Sequence, residues 1–177
     1  MGPIVPALGG AAVRAYRQAG ALLGLRKKNR IHKIFSDAEL ARLKRATGEA
    51  ERNTSGEIRV CIVMDYRLGI RSAEAQAKHE FLKYGMNKTE ERSGVLILLV
   101  WEKRQFYIYA DEGIYTLLTP AYLNRHAVDL AMNFRKSNFV DALILAVSDI
   151  GRELAQYFPR RPDDRDELPD DVILEDE

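Results

Sequence analysis

The sequence predicts an α/β fold in which a small mixed sheet lies between layers of helices, a three-layer α/β/α sandwich. Three observations lead to this class. Residues 94–101 form an unbroken apolar run, which is typical of a strand buried on both faces. The strand-like stretch 105–110 follows a short charged break, as in an antiparallel hairpin. An earlier strand at 57–64 and a helix at 72–84 complete a β-α-β unit, whose strands run parallel.

The first helix is predicted over residues 37–52. Ser36 and Glu39 have the spacing of a capping box at its start, and apolar residues then recur at helical intervals. An Asn-Thr-Ser-Gly turn leads from this helix into the first strand. Ser72 is placed to cap the second helix, which a glycine then ends.

Two more helices are predicted after the hairpin. Thr119 and Pro120 are a typical helix start, with threonine as the cap and proline in the first helical position. A turn at 136–138 separates this helix from the next one, at 139–157, which Pro159 ends. About four helices therefore flank the sheet.

The chain has 177 residues, and we expect one domain, 35–158, with an extension at each end. Residues 1–34 are predicted to form a basic, flexible extension; the alternative is an amphipathic helix at 11–28 that contacts anionic lipid or a partner. Residues 159–177 form an acidic tail, which we expect to be irregular. A net charge of +1 argues against nucleic acid as a partner. No clear signal peptide or membrane-spanning stretch is evident, so we expect a cytoplasmic or membrane-peripheral protein.

The chain has a single cysteine, Cys61, which excludes an intrachain disulfide. Because Cys61 falls inside a predicted strand, we interpret it as a small buried hydrophobe. The alternative is a reactive thiol.

Acidic residues are predicted to converge at one edge of the sheet. Glu57 begins the first strand, and Glu90 and Glu91 precede the second, which is parallel to it. Asp111 and Glu112 follow the third strand, which runs the other way. Carboxylate oxygens are the ligands that Ca²⁺ and Mg²⁺ prefer. These five residues are therefore the predicted metal ligands, with Ca²⁺ as the expected cofactor and Mg²⁺ as the alternative.

The alternative interpretation of this edge is that its loop carboxylates pair with Lys88 and Arg92. Other types of site are excluded by pattern. The three histidines are isolated from one another and from the cysteine, which argues against zinc, and no EF-hand, nucleophile elbow or phosphate-binding glycine loop is present.

The order and spacing of several motifs resemble the TPM domain, a family named for thylakoid-lumen, photosystem-associated and nematode receptor-associated proteins. The resemblance covers about 35–158. The motifs are N-T-S-G-E-I-R-V at 53–60, S-G-V-L-I-L-L-V at 93–100, R-Q-F-Y-I-Y-A-D-E-G-I at 104–114 and F-R-K-S-N-F-V-D-A-L at 134–143. The segment D-E-L-P-D-D at 166–171 resembles the ending of a short, single-domain bacterial branch of that family.

The resemblance implies an α/β/α sandwich, divalent-cation binding at an acidic edge, and an acid phosphatase activity ascribed to plant members. Other members act in assembly or repair of membrane complexes. The family's acidic loop G-D-x-G-x-D-N-G is not intact here, because 85–94 reads GMNKTEERSG. We therefore expect a Ca²⁺-binding interaction module that acts with an unidentified protein partner in assembly or maintenance of a complex. The alternative is a metal-assisted acid phosphatase that uses the same edge, with Asp111 as a candidate nucleophile.

Overall fold

The computed structural model describes residues 30–115, 117–134, 139–163 and 167–176. The predicted basic extension, 1–34, lies outside these residues except for 30–34. The alternative amphipathic helix at 11–28 lies entirely outside them.

Five α-helices and four strands follow one another in the described residues. The helices are α1 (Asp37–Glu51), α2 (Ala73–Lys83), α3 (Glu112–Tyr115), α4 (Pro120–Phe134) and α5 (Phe139–Tyr157). The strands are β1 (Glu57–Val63), β2 (Gly94–Val100), β3 (Gln105–Ala110) and β4 (Ile173–Glu175). Short 3₁₀ turns occur at Ile31–Lys33 and Met86–Lys88.

The four strands form one mixed sheet in the order β3-β2-β1-β4. β1 and β2 are parallel, with Glu57 opposite Gly94, and β2 and β3 are antiparallel, with Val95 opposite Ala110. The predicted α/β class, with its β-α-β unit and its antiparallel hairpin, is therefore confirmed.

Two apolar clusters lie on the two faces of the sheet, because side chains alternate between the faces along each strand. The larger cluster joins Ile58, Val60 and Ile62 of β1 to residues of α1 and α5. The smaller cluster joins Cys61 and Val63 of β1 to α2. Every residue of β1 and β2 is buried, as expected for strands covered on both sides.

The predicted helix caps are present. The Ser36 hydroxyl accepts from the Glu39 backbone N–H at 3.3 Å, and the Glu39 carboxylate accepts from the Ser36 N–H at 2.8 Å, which completes a capping box. Ser72 accepts from the Ala75 N–H at 3.1 Å at the start of α2. Thr119 accepts from the N–H three residues later at the start of α4.

The apolar core includes residues that precede the first capping box. Ile31 and Phe35 are each 1% exposed and belong to the larger apolar cluster. The ring of Phe35 packs edge-on against Trp101, with 5.4 Å between ring centres. These contacts anchor the described N-terminal end to the far end of β2.

The prediction of an irregular acidic tail is wrong for Ile173–Glu175, which form β4. β4 pairs with β1 in parallel, with Cys61 opposite Ile173. The strand forms because β1 would otherwise present an unpaired row of backbone groups at the edge of the sheet.

Cys61 is fully buried between β1 and α2, and burial raises the pKa of its thiol well above the usual value. The interpretation of Cys61 as a buried hydrophobe is therefore confirmed. Among the described helices, none has the length and apolar character that crossing a membrane requires.

Candidate functional site

The strand directions bring two of the predicted acidic residues, Glu57 and Asp111, to one edge of the sheet. Glu57 lies opposite Gly94, and the Asp111 N–H donates to the Gly94 carbonyl at 2.9 Å. Because neighbouring strands are about 4.8 Å apart, Glu57, Gly94 and Asp111 form a row across this edge. Asp65 lies at the opposite end of β1, where it pairs with Lys103 at 3.0 Å.

Asp111 is held by a bidentate ion pair with Arg92, which we call the arginine clamp. The Arg92 Nε donates to Asp111 Oδ2 at 2.7 Å, and Nη2 donates to Oδ1 at 2.8 Å. The same Oδ1 accepts from the Glu112 N–H at 2.8 Å, at the start of α3. Asp111 is only 4% exposed, and its hydrogen bonds raise the pKa of the Arg92 guanidinium. The clamp therefore satisfies both oxygens of a buried carboxylate.

The loop that carries Arg92 is fixed by close packing on α3. Arg92 has a φ of 52°, which is unusual for a residue with a side chain. A Cβ atom added to Gly113 would lie 2.4 Å from the Glu91 carbonyl oxygen and 2.7 Å from that of Arg92. The Thr89 hydroxyl also accepts from the Ser93 N–H at 3.0 Å across this loop. These contacts hold Arg92 in its strained conformation and aim its guanidinium at Asp111.

Glu91 and Glu57 are also engaged. Glu91 accepts from the Ser55 hydroxyl at 2.5 Å through one oxygen and from the Arg161 guanidinium at 2.7 Å through the other. Glu57 is 6% exposed and accepts from the Glu167 N–H at 2.9 Å. The tail that follows α5 therefore supplies two of the contacts at this edge.

Glu90 and Glu112 lie on the surface of the same edge. The Glu90 N–H donates to the Glu167 carboxylate at 3.2 Å. The Glu112 side chain is 87% exposed and lies 3.7 Å from the Arg92 guanidinium. These two side chains face solvent, whereas Asp111 and Glu57 point into the protein.

The described carboxylates do not form a ready Ca²⁺ site in this arrangement. Both oxygens of Asp111 and both oxygens of Glu91 already accept hydrogen bonds. Within the described ranges, no group of three or more histidine, cysteine, aspartate or glutamate side chains has a metal-binding arrangement. The observed contacts of Asp111 follow the alternative interpretation, in which Arg92 is the partner, and cation binding stays a prediction.

A second acidic group lies beside the predicted one. Glu51, at the end of α1, is 6% exposed, and its carboxyl oxygen accepts from the Ile58 N–H at 2.6 Å. Burial raises the pKa of Glu51 to about 9, and the nearby carboxylates of Glu57 and Asp170 contribute to this rise. Glu51 therefore carries a proton at neutral pH and can donate a hydrogen bond.

Four other residues contribute to this edge although the sequence does not predict them there: Ser55, Arg161, Glu167 and Glu51. Arg161 and Glu167 come from the tail, about 70 to 110 positions further along the chain than their partners. Such a contact leaves no periodic pattern in the sequence. Ser55 lies two residues before the predicted ligand Glu57, and this closeness in sequence was the one signal that could have placed Ser55 at the edge.

The comparison with family models and the comparison with solved structures agree with each other. A model of the TPM domain matches residues 29–153, which is more than half of the chain. No curated protein matches in sequence. The NMR structure of the BA42 protein from the psychrophilic bacterium Bizionia argentinensis has a TM-score of 0.72 and 31% identity. The similarity covers 79% of this chain and 94% of that one.

The N-terminal domain of a protein from P. gingivalis, also solved by NMR, has a TM-score of 0.58 and 20% identity. The similarity covers 71% of this chain and 79% of that one, and it supports the fold alone. The motifs, the sheet topology and the match over 29–153 lead to one conclusion: this chain belongs to the TPM domain family.

Proposed function

We propose that this chain is a non-catalytic interaction module of the TPM type, which acts with a protein partner in assembly or maintenance of a complex. The observation that carries the proposal is the arginine clamp on buried Asp111. A carboxylate with both oxygens bonded to one guanidinium fixes the local structure and is poorly placed to attack a phosphoryl group. The edge is therefore better suited to presenting a fixed surface than to performing a reaction.

The exposed groups of this edge support a protein partner. Glu112 is 87% exposed, and the Arg161 and Arg92 side chains are 65% and 44% exposed. Charged groups of both signs around a fixed loop are typical of the polar rim of a protein–protein interface.

We extend the proposal to Ca²⁺ as a competitor of the arginines. Ca²⁺ takes about six to eight oxygen ligands. A cation would therefore bind the predicted ligands only after Arg92 and Arg161 had released Asp111 and Glu91. The predicted ligands are Asp111, Glu112, Glu57, Glu91 and Glu90. We expect the wild-type protein to respond weakly to Ca²⁺, and to Mg²⁺ more weakly still.

The test is thermal unfolding of the wild type and of Arg92→Gln, each in a chelator and in rising Ca²⁺. We expect the melting temperature of Arg92→Gln to rise with Ca²⁺ and to fall again when chelator is added, because a bound cation stabilises the folded state. Arg104→Gln is the control, since Arg104 has nearly the same φ, 51°, and follows the opposite end of β2. If Ca²⁺ raised the melting temperature of the wild type by the same amount, Ca²⁺ would not compete with Arg92 for Asp111. If Ca²⁺ left the melting temperature of Arg92→Gln unchanged, Ca²⁺ binding would no longer be part of the proposal.

The phosphatase alternative has a separate test. Hydrolysis of a phosphomonoester at acid pH by the wild type, and its loss in Asp111→Asn, would overturn the non-catalytic proposal. No turnover over a broad panel of phosphomonoesters is the result we expect.

A further inference from the structure

The acidic tail crosses the whole outer edge of β1. At one end the Glu167 N–H donates to Glu57, and at the other end the Asp176 carboxylate accepts from the N–H groups of Arg30 and Ile31, at 3.3 Å each. The family match ends at residue 153, so the tail lies beyond the matched region. A segment from outside that region therefore supplies the fourth strand of the sheet.

The tail is paired like a strand over only three residues. Ile173, Leu174 and Glu175 lie opposite Cys61, Ile62 and Val63, and the Met64 N–H donates to the Glu175 carbonyl at 3.1 Å. Ile173 is 5% exposed in the smaller apolar cluster, and Leu174 packs against the larger one. Most strands have about five or six residues, so this pairing buries an unusually short segment.

The carboxylates of the tail meet basic side chains from different elements. Asp171 pairs with Lys44 of α1 at 2.6 Å, and both are half-exposed or more. Glu175 accepts from Lys83 of α2 and from the Tyr84 hydroxyl. The surface along this edge is therefore complementary in charge to an acidic segment.

Arg59 shows that the tail fits this surface imperfectly. Arg59 is 7% exposed, and its Nη2 donates to the Asp171 carbonyl at 3.3 Å. Its guanidinium lies 5.4 Å from the centre of the Tyr84 ring. Among the described residues, the buried Nε has no hydrogen-bond partner. An unpaired buried donor is costly, and a carboxylate from a better-fitting segment would remove that cost.

We propose that this edge binds an extended acidic peptide of a partner protein, and that the tail occupies it as an intramolecular competitor. We call the site the β1 groove and define it by Lys44, Arg59, Lys83, Tyr84 and the outer edge of β1. Adding a strand to an exposed sheet edge is an established way of binding peptides. The partner segment has an aliphatic residue in the position of Ile173, with carboxylates two residues before and two residues after it.

This inference goes beyond the proposed function, because none of the side chains that define the β1 groove belongs to the arginine clamp or to the predicted Ca²⁺ ligands. The tail touches the predicted ligands before it reaches β4. Arg161 donates to Glu91, the Glu167 N–H donates to Glu57, and the Glu167 carboxylate accepts from the Glu90 N–H. Neither the clamp nor Ca²⁺ enters the argument. Failure of the Ca²⁺ experiment would leave the groove unaffected, and the reverse also holds.

The experiment measures binding of a fluorescent peptide with the sequence of residues 167–177 to full-length protein. In the variant Ile173→Asp, a charge in the position of a buried apolar side chain releases the tail. A tethered segment has a local concentration of about 1 mM, so the wild-type tail excludes the free peptide. We expect the variant to bind the peptide on the order of tenfold more tightly than the wild type. A peptide with amides in place of its carboxylates is the control and binds more weakly.

A second variant guards against misfolding of the first. Asp171→Asn combined with Glu175→Gln weakens the tail without placing a charge in the core, and we expect the same direction of change. Lys44→Glu in either background lowers the affinity, and an unchanged affinity would overturn the assignment of the groove. Absence of peptide binding to both folded variants would overturn the proposal. Light scattering would reveal a dimer in which each copy places its tail in the groove of the other. A dimer of this kind without peptide binding would overturn the role of a separate partner.

Discussion

Glu51→Gln should stabilise the protein at neutral and alkaline pH. In the folded protein, Glu51 accepts from the Ile58 N–H and hydrogen-bonds to Asp170. Glutamine retains a carbonyl oxygen for Ile58 and supplies an N–H group for Asp170. The substitution therefore preserves the contacts of the protonated carboxyl and removes its titration.

The magnitude follows from the pKa of Glu51. Its ordinary value is 4.5, and burial in the folded protein raises it to about 9. Since folding binds a proton, the stability contributed by Glu51 is complete below pH 4.5 and is lost as pH rises to about 9. At about 1.4 kcal/mol per pH unit above the ordinary pKa, keeping the proton at pH 7 costs up to about 3.5 kcal/mol. Because the nearby carboxylates titrate with Glu51, we expect Glu51→Gln to gain roughly 1–3 kcal/mol at pH 7.

Urea unfolding at several pH values between 4 and 9 measures this difference. The free energies of unfolding of the wild type and Glu51→Gln should agree near pH 4 and separate progressively above it. Glu49→Gln is the matched control, because Glu49 is exposed on the same helix and its substitution should change stability by less than about 0.5 kcal/mol. A difference that does not vary with pH, or a less stable Glu51→Gln at pH 8, would show that Glu51 does not carry a proton in the folded protein.

Three other outcomes follow from close packing and burial. Gly113→Ala places a Cβ 2.4 Å from the Glu91 carbonyl oxygen and should lower the free energy of unfolding by about 1–3 kcal/mol in urea. Gly151→Ala places a Cβ 2.6 Å from the Ala50 Cβ, where α5 meets α1, and should cost a similar amount. Adding Ala50→Gly should recover part of that loss, whereas additive losses in the double variant would contradict the steric explanation. Cys61 should react with a thiol reagent only in denaturant, and rapid labelling of the native protein would contradict its burial.

The sheet could be predicted because its signals are local. The apolar run at 94–101 has too few polar positions for an exposed strand, and the charged break before 105–110 places the turn of a hairpin. The capping residues Ser36 and Ser72 act within one helical turn, so their spacing was visible in the sequence. β4 had no such signal. The apolar stretch between the acids, 172–174, is too short to predict a strand, and a strand forms there only because the edge of β1 is available for pairing.

Only those features of the candidate site that depend on the direction of the strands could be predicted from the sequence. The row of Glu57, Gly94 and Asp111 follows from parallel and antiparallel pairing. The choice between a cation and Arg92 as the partner of Asp111 depends on the positive φ of Arg92 and on the contact of its loop with Gly113. Both belong to tertiary packing, so the sequence left the two interpretations open.

The course of the tail along β1 has a consequence for handling the molecule. Arg30 and Asp176, at the two ends of the described chain, lie side by side at the pole of the sheet where β1 ends. The seven residues of β1 span about 20 Å, and Asp111 and Arg92 lie at the other pole of the sheet, beside the start of β1. A bead or sensor surface coupled to the chain next to Asp176 would hold the protein by the pole where β1 ends. Captured molecules would then present the pole of Asp111 and Arg92 to the solution, and that surface would stay accessible in a search for partners.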